Sequence, residues 1–231
     1  MSSLTQALIE RKIRAVIFDL DDTLYPEIQY VQSGFKAVSR KIEEDFGADC
    51  YDLLLSLFCE NSANVYNRAL DCLGVPYSEA YIRELVAVYR AHKPQNLRFY
   101  PDVLPFLTTL KDLGIAVGIL TDGRVEGQKN KLEALRCYEL FDCILITDAL
   151  GGERYRKPSK AAFERMCADL HLSFAQIAYI GDNPAKDFYI GTEGVFTVRI
   201  KRENALNFGG EQYYKGVREN LLTERLSEED G

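Results

Sequence analysis

The sequence predicts an α/β fold in which helices cover both faces of a parallel β-sheet. Short apolar runs rich in β-branched residues recur along the chain, which is typical of buried strands. Between these runs lie segments whose apolar residues repeat at the three- and four-residue spacing of a helix. Strands and helices therefore alternate, and this alternation is the pattern of a parallel sheet flanked by helices.

Five strands and three helices make up the alternating part of the chain. The predicted strands are Ile13–Asp19, Ile115–Asp122, Cys143–Asp148, Ile177–Asp182 and Val195–Ile200. The predicted helices are Val103–Leu113, Gln128–Leu140 and Lys160–Leu170. Ligands of such sheets bind beyond the carboxyl ends of the strands, where the strand order reverses. The polar residues at these strand ends are therefore the candidates for chemistry.

One region between the first and second strands breaks the alternation. No convincing strand is visible from Pro26 to about Pro94. Helical periodicity runs instead through three stretches, Tyr30–Phe46, Tyr51–Leu73 and Ser78–Ala91. We predict a helical domain of residues 25–94 inserted into a discontinuous core of residues 1–24 and 95–231. Because the insertion follows the first strand, we expect it to stand over the carboxyl end of that strand as a lid. From Glu219 onward we expect a frayed acidic tail.

Composition and charge exclude several classes of function. The 35 acidic and 28 basic residues give a formal charge of -7, which removes the broad basic surface that nucleic-acid phosphates require. Apolar runs such as Ile115–Leu120 are far shorter than the ~18 residues of a membrane span, and residues 1–14 lack the pattern of a signal peptide. The six cysteines show no Cys-x-x-Cys spacing. We expect a cytoplasmic protein without a nucleic-acid or membrane partner.

Three carboxylates follow the first strand within four positions, at Asp19, Asp21 and Asp22. Like charges this close repel and raise each other's pKa unless a cation or hydrogen-bond donors offset them. The cluster therefore favours a hard divalent metal such as Mg2+. An acidic turn or helix cap explains an Asp-x-Asp at a strand end equally well. The choice between these two interpretations depends on the other strand ends.

The other strand ends carry residues of matching chemistry. Thr121 precedes Asp122 and Gly123, so a hydroxyl and a flexible turn with backbone N–H groups could receive a phosphate oxygen, although Thr121 alone is better explained as a helix cap. Lys157 stands before a proline and a predicted helix, and alone it is one exposed cation among many. The fourth strand ends in Gly-Asp-Asn-Pro-Ala-Lys-Asp at residues 181–187. A Gly-Asp turn by itself is weak evidence.

Together and in this order, these four elements closely resemble the motifs of the haloacid dehalogenase (HAD) superfamily. The matching residues are Asp-Leu-Asp-Asp-Thr at 19–23, Thr121, Lys157 ahead of Pro158, and residues 181–187. The resemblance covers most of the chain, and the helical insertion resembles the superfamily's C1 cap. It implies a Rossmann-like three-layer core, dependence on Mg2+ and an enzyme that hydrolyses phosphoric monoesters.

The resemblance also implies the roles of the acidic residues. Asp19 would be the nucleophile, and Asp21 would be the general acid and then the general base. Asp19, the backbone carbonyl of Asp21 and Asp182 would hold Mg2+, with Asp187 in or near this group. A turn or capping role explains Asp22, because many members of the superfamily carry glycine at this position.

The resemblance assigns the remaining site residues to the phosphoryl group. Thr121 and the backbone N–H groups around Asp122 and Gly123 would bind the phosphoryl oxygens. Lys157 would neutralise the charge of the nucleophile and of the transferring group. These residues would form an electrostatic cradle at the strand ends.

The acid at position 21 separates the reactions of the superfamily. The 2-haloacid dehalogenases keep no acid two residues after the nucleophile, because halide leaves without a proton, whereas an alkoxide needs one. We therefore predict a Mg2+-dependent phosphatase that hydrolyses a small-metabolite phosphomonoester, a sugar phosphate or a nucleotide, through an aspartyl-phosphate. A sugar-phosphate mutase is the alternative, followed by a haloacid dehalogenase or a non-catalytic scaffold. The physiological substrate and the oligomeric state stay open.

Overall fold

The computed structural model describes residues 3–203, 205–206 and 210–227. Helix α1 (Ser3–Glu10) and strand β1 (Ala15–Phe18) begin the chain. Four helices follow, α2 (Glu27–Phe46), α3 (Tyr51–Glu60), α4 (Val65–Leu73) and α5 (Glu79–Ala91). The remaining helices and strands alternate for the most part: α6 (Val103–Asp112), β2 (Ala116–Thr121), α7 (Val125–Ala134), α8 (Cys137–Leu140), β3 (Cys143–Ile146), α9 (Ala161–Leu170), β4 (Ile177–Gly181), β5 (Phe196–Ile200) and β6 (Leu221–Thr223).

The strands form one parallel sheet in the order β3-β2-β1-β4-β5-β6. The central strand β1 pairs with β2 on one side and β4 on the other, so that Phe18 lies beside both Ile119 and Ile180. The chain builds the sheet outward from β1 in one direction and then returns to build it in the other. The sheet and its flanking helices confirm the predicted α/β class and place the reversal of strand order beside β1.

The central strands are buried on both faces, which explains their continuous apolar sequences. All four residues of β1 are fully buried, and the ring of Phe18 contacts Phe106 edge-on at 6.2 Å. On α9, Phe163 packs edge-on against Tyr179 of β4 at 5.0 Å. The apolar runs that predicted the strands are therefore the centre of the core.

The chain divides into two compact units. One comprises Met1–Glu27 and Arg98–Gly231, and the other comprises Ile28–Leu97. Inside the second unit, α2 and α5 pack closely at Gly34, where a side chain would overlap the ring of Tyr89. One face of α2 and the segment 92–96 line a cleft of about 480 Å³, and no carboxylate stands among its described lining residues.

The predicted helix Tyr51–Leu73 is wrong, because it is two helices, α3 and α4. The side chain of Asn61 accepts the backbone N–H of Ala63, a local hydrogen bond that competes with the helix. Asn64 then adopts a left-handed conformation with φ of 51°. Arg68 donates to the backbone carbonyls of Leu57 and Asn61, which satisfies the open end of α3. These local hydrogen bonds therefore stabilise the break between α3 and α4.

Two further expectations need correction. The predicted helix Gln128–Leu140 starts earlier, at α7, and is interrupted before α8 by Arg136 in a left-handed conformation. The polar end of the chain contributes strand β6, which pairs with β5. Asn220 makes this pairing possible, because its side chain accepts the backbone N–H of Thr197 at 2.8 Å. Of the predicted acidic tail, residues 228–231 lie outside the described residues.

None of the described helices is both long enough and apolar enough to cross a bilayer.

Arg202 ties the chain after β5 to the loop after β1. Its guanidinium donates two hydrogen bonds, of 3.1 and 3.0 Å, to the backbone carbonyl of Thr23. A third bond of 2.7 Å reaches the carboxylate of Asp102, ahead of α6. The guanidinium also lies 4.2 Å from the ring centre of Tyr100. One buried cation thus joins three segments of the sheet unit.

We expect Arg202→Met to lower the free energy of unfolding by about 3 kcal/mol, because the carbonyl of Thr23 loses both guanidinium donors and the carboxylate of Asp102 loses its cation. Urea denaturation measures this change. The control is Arg165→Met, which removes an exposed pair with Asp169 and should cost about 1 kcal/mol or less. Equal losses in the two variants would contradict the importance of the Arg202 contacts.

Candidate active site

The carboxyl ends of three neighbouring strands bring predicted site residues together. Asp19 follows β1, Thr121 ends β2 and Asp182 follows β4. Since β1 lies between β2 and β4, these three residues occupy adjacent positions at one edge of the sheet. This edge is where the strand order reverses, which is the usual place for a ligand in a sheet of this class.

A buried lysine joins this edge from the segment between β3 and α9. The ammonium group of Lys157 lies 2.9 Å from Asp19 Oδ1 and 2.8 Å from Asp187 Oδ1. It also donates a hydrogen bond of 2.6 Å to the hydroxyl of Tyr179. Burial opposes the charge of Lys157, but Asp187 and Asp19 outweigh burial and raise its pKa. Lys157 is therefore a fixed cation between two acids.

Asp19 is a buried carboxylate with its negative charge stabilised. Burial opposes this charge, but Lys157 and Lys186 outweigh burial and lower the pKa of Asp19. Lys186 Nζ lies 3.5 Å from Asp19 Oδ2. Among the described residues, none donates a hydrogen bond to this oxygen. Asp19 Oδ2 thus keeps electron pairs that a metal ion or an electrophilic atom can use.

Asp19, Asp182 and Asp187 form a cluster of carboxylates. One oxygen of each lies within 4.8 Å of the others. Burial and the negative charges of Asp187 and Asp19 raise the pKa of Asp182 well above its usual value. A hard divalent cation takes carboxylate oxygens as ligands and would offset this repulsion. The donor set therefore fits an ion such as Mg2+.

Gly181 lets Asp187 approach the end of β4. A Cβ atom at position 181 would lie 2.5 Å from Asp187 Oδ2, which is closer than such atoms pack. The same oxygen accepts the backbone N–H of Asn183 at 2.9 Å. The segment 181–187 therefore folds back on itself, and this brings the carboxylate of Asp187 into contact with the ammonium group of Lys157.

The side chain of Asp21 has different partners from the Asp19 cluster. Lys131 Nζ lies 2.7 and 2.9 Å from its two carboxylate oxygens. The side-chain amide of Gln128 donates to it at 3.1 Å, and the hydroxyl of Tyr25 donates at 2.5 Å. The predicted metal contact of Asp21 is its backbone carbonyl, so this side-chain arrangement leaves that prediction as it stands.

The turn between β2 and α7 contains Thr121, Asp122 and Gly123. Thr121 Oγ1 accepts a hydrogen bond of 2.5 Å from the amide of Gln128. Asp122 Oδ1 accepts the backbone N–H of Lys157 at 3.1 Å. The carboxylate of Asp122 therefore supports the loop that carries Lys157. The predicted phosphate contacts of this turn are the hydroxyl of Thr121 and the backbone N–H groups around Asp122 and Gly123.

The carboxylate of Asp22 accepts hydrogen bonds from backbone N–H groups, as a turn or capping residue does. It accepts the backbone N–H of Glu27 at the start of α2, at 2.9 Å, and the backbone N–H of Leu206 at 2.8 Å. Burial raises its pKa although these two donors act in the opposite direction. Asp22 thus fixes the loop between β1 and α2.

The sequence motifs did not reveal several residues around Asp19 and Asp21. Lys186 lies inside the segment 181–187 and could have been found there. Gln128 and Lys131 stand three residues apart on α7, which puts them on one helix face. Both are buried although both are polar. The sequence does not show which face of α7 is buried. These two polar residues therefore stand out as site residues only once the folded structure is known.

The chain is similar to known proteins over most of its length. A family model described as haloacid dehalogenase-like hydrolase matches residues 16–195. A glyceraldehyde 3-phosphate phosphatase of Methanopyrus kandleri is 30% identical over 201 residues, which cover 82% of this chain and 84% of that protein. An N-acylneuraminate-9-phosphatase of Rattus norvegicus is 23% identical over 199 residues, 78% of each chain.

A solved structure has a similar fold. The crystal structure of a HAD phosphatase from Thermococcus onnurineus superposes with a TM-score of 0.60 at 23% identity. The match covers 93% of this chain and 94% of that chain. It therefore extends over nearly the whole length of both proteins.

Glu27 adds a titrating group beside the Asp21 cluster. Its carboxylate lies 3.8 Å from Lys131 Nζ. Burial and the negative charge of Asp21 raise the pKa of Glu27 from 4.5 to about 7, although Lys131 acts in the opposite direction. Glu27 therefore binds its proton more tightly in the folded chain than in the unfolded chain.

This raised pKa predicts a loss of stability as pH rises from about 4.5 through about 7, because the unfolded chain gives up the proton first. We expect Glu27→Gln to be more stable than the wild type at pH 8, by on the order of 1 to 3 kcal/mol, and about equal to it at about pH 4, below the pKa of 4.5 in the unfolded chain. Urea denaturation at the two pH values with a chelator present measures the difference. A difference that does not change with pH would contradict the prediction.

Proposed function

The chain belongs to the haloacid dehalogenase-like hydrolase family and is a phosphatase-like member of it, and on this basis we propose that it hydrolyses a phosphomonoester of a small metabolite. The observation that carries the proposal is the state of Asp19. Its carboxylate is buried, two lysines stabilise its negative charge, and Oδ2 accepts no hydrogen bond from the described residues. Such an oxygen is prepared for nucleophilic attack on phosphorus.

Mg2+ is part of the proposal. Asp19, Asp182 and the backbone carbonyl of Asp21 would hold the ion, with Asp187 beside them. When bound, the ion would offset the repulsion between the carboxylates and a phosphate dianion. The clustered carboxylate oxygens support this assignment.

The proposed reaction has two steps. Asp19 attacks phosphorus, the ester bond breaks, and the departing alkoxide takes a proton from Asp21, which leaves a phosphoryl group on Asp19. Water then attacks this aspartyl-phosphate while Asp21 takes back a proton, and inorganic phosphate leaves. Thr121 and the backbone N–H groups of Asp122 and Gly123 hold the phosphoryl oxygens, and Lys157 balances their charge. The presence of an acid at position 21 favours ester hydrolysis over dehalogenation, because a departing alkoxide needs a proton and halide does not.

The substrate that we propose is a sugar phosphate or a related small phosphate ester in the cytoplasm. The names of the relatives, a glyceraldehyde 3-phosphate phosphatase and an N-acylneuraminate-9-phosphatase, support this class. All residues with a proposed chemical role lie in the unit of Met1–Glu27 and Arg98–Gly231. We assign catalysis to this unit and the role of a cap to Ile28–Leu97.

We expect Asp19→Asn to abolish phosphate release, because the amide cannot attack phosphorus or form the phosphorylated intermediate. Release of inorganic phosphate from sugar phosphates, nucleotides and an aryl phosphate is measured with Mg2+ and with a chelator. The matched control is Asp169→Asn, the same exchange at a carboxylate of α9 that pairs with Arg165. It should keep full activity.

Two outcomes would change the proposal. Phosphate release that survives in Asp19→Asn would remove Asp19 as the nucleophile. Isomerised sugar phosphate without free phosphate in the wild type would favour the mutase alternative. Loss of activity with the chelator and its return with Mg2+ would support the metal assignment.

A further inference from the structure

Lys131 and Gln128 of α7 hold the side chain of Asp21 from one side. Lys131 Nζ contacts both carboxylate oxygens, at 2.7 and 2.9 Å, and Gln128 donates to Oδ2 at 3.1 Å. The hydroxyl of Tyr25 occupies Oδ1 at 2.5 Å. With donors on both oxygens, the carboxylate cannot rotate without breaking several hydrogen bonds. Its position is therefore set by α7 and Tyr25.

Gln128 also connects Asp21 to the turn after β2. The same side-chain nitrogen donates to Asp21 Oδ2 and, at 2.5 Å, to Thr121 Oγ1. Thr121 is the residue that the proposed function assigns to the phosphoryl oxygens. The distance between the acid and the phosphate-binding hydroxyl is thus fixed by one buried amide.

A buried lysine at this place is costly for folding. The side chain of Lys131 is only 6% exposed, and burying an ammonium group is unfavourable unless ion pairs offset its loss of hydration. An apolar side chain of similar length would fill the same space without that cost. The ammonium group of Lys131 therefore needs a reason other than packing, and its two contacts with Asp21 supply one.

We propose that Lys131 is a positioning residue for acid–base catalysis, which with Gln128 holds the Asp21 carboxyl where it can reach the leaving oxygen. The inference rests on the proposed function. Proton transfer requires the acid within about 2.6–3.2 Å of the oxygen that receives the proton. A displacement of about 1 Å can cost about 100-fold in rate. Lys131 itself does not touch the substrate.

A positioning role predicts a dependence on the leaving group. An alkyl phosphate leaves as a strongly basic alkoxide and needs the proton of Asp21, whereas 4-nitrophenyl phosphate leaves as a stable phenolate and needs almost none. Loss of the positioning contact should therefore slow the phosphorylation of Asp19 by the alkyl ester and spare that by the aryl ester. A general disturbance of the site would slow both.

The experiment measures the first step alone. The full-length enzyme with Mg2+ is mixed with 32P-labelled glycerol 3-phosphate or 4-nitrophenyl phosphate and quenched with acid within milliseconds, and the label on the protein gives the rate of phosphorylation. The variants are Lys131→Met, Lys131→Arg and Gln128→Met. The matched control is Lys129→Met, the same exchange at an exposed lysine of the same helix.

We expect Lys131→Met to slow phosphorylation by the alkyl ester about 100-fold and that by the aryl ester less than about threefold. Lys131→Arg should recover part of the loss, and Lys129→Met should match the wild type. Gln128→Met should also slow the alkyl ester more than the aryl ester, with some slowing of both because Thr121 Oγ1 loses its donor, and it keeps the test decisive if Lys131→Met does not fold.

Equal slowing with both esters, or no slowing in either variant, would overturn the proposal. If the wild type forms no labelled protein with either ester, the proposed nucleophile is wrong and the positioning role falls with it. If the wild type is labelled and only the selectivity is missing, the proposed function stands and the role of Lys131 does not.

Discussion

The buried ion pairs of Lys157 with Asp19 and Asp187 are the interaction on which the rest of the site depends. Three charged groups share a place without solvent, so each is stable only while its partners stay within about 3 Å. This requirement fixes the loop before α9, the end of β1 and the fold of segment 181–187 relative to one another. The parallel sheet makes the arrangement possible, because it brings the carboxyl ends of β1 and β4 side by side.

Two acids separated by a single residue, Asp19 and Asp21, have different surroundings, which is consistent with the different roles proposed for them. Asp19 faces Lys157 and Lys186, which lower its pKa against the effect of burial. The carboxylate of Asp21 contacts Lys131, Gln128 and Tyr25 instead. The charges that the two acids meet come from different parts of the chain.

The sequence predicted the sheet well where burial on both faces leaves a continuous apolar run, as in β1 and β4. It failed where structure depends on local polar hydrogen bonds. The side chain of Asn61 ends α3 early, and Asn220 pairs the three-residue strand β6 with β5. Such short elements carry too few residues for a periodic signal, because a single side-chain hydrogen bond decides them.

The sequence by itself determined the family and proposed Asp19, Asp21, Lys157, Asp182 and Asp187 as site residues, because these residues stand in recognisable motifs at predicted strand ends and loops. Only the tertiary structure decided which cation forms an ion pair with which acid. Lys131 lies 110 positions after Asp21, and no spacing rule connects them. Their contact exists because α7 places Lys131 beside the loop after β1, and the fold of the core between the two residues sets that placement.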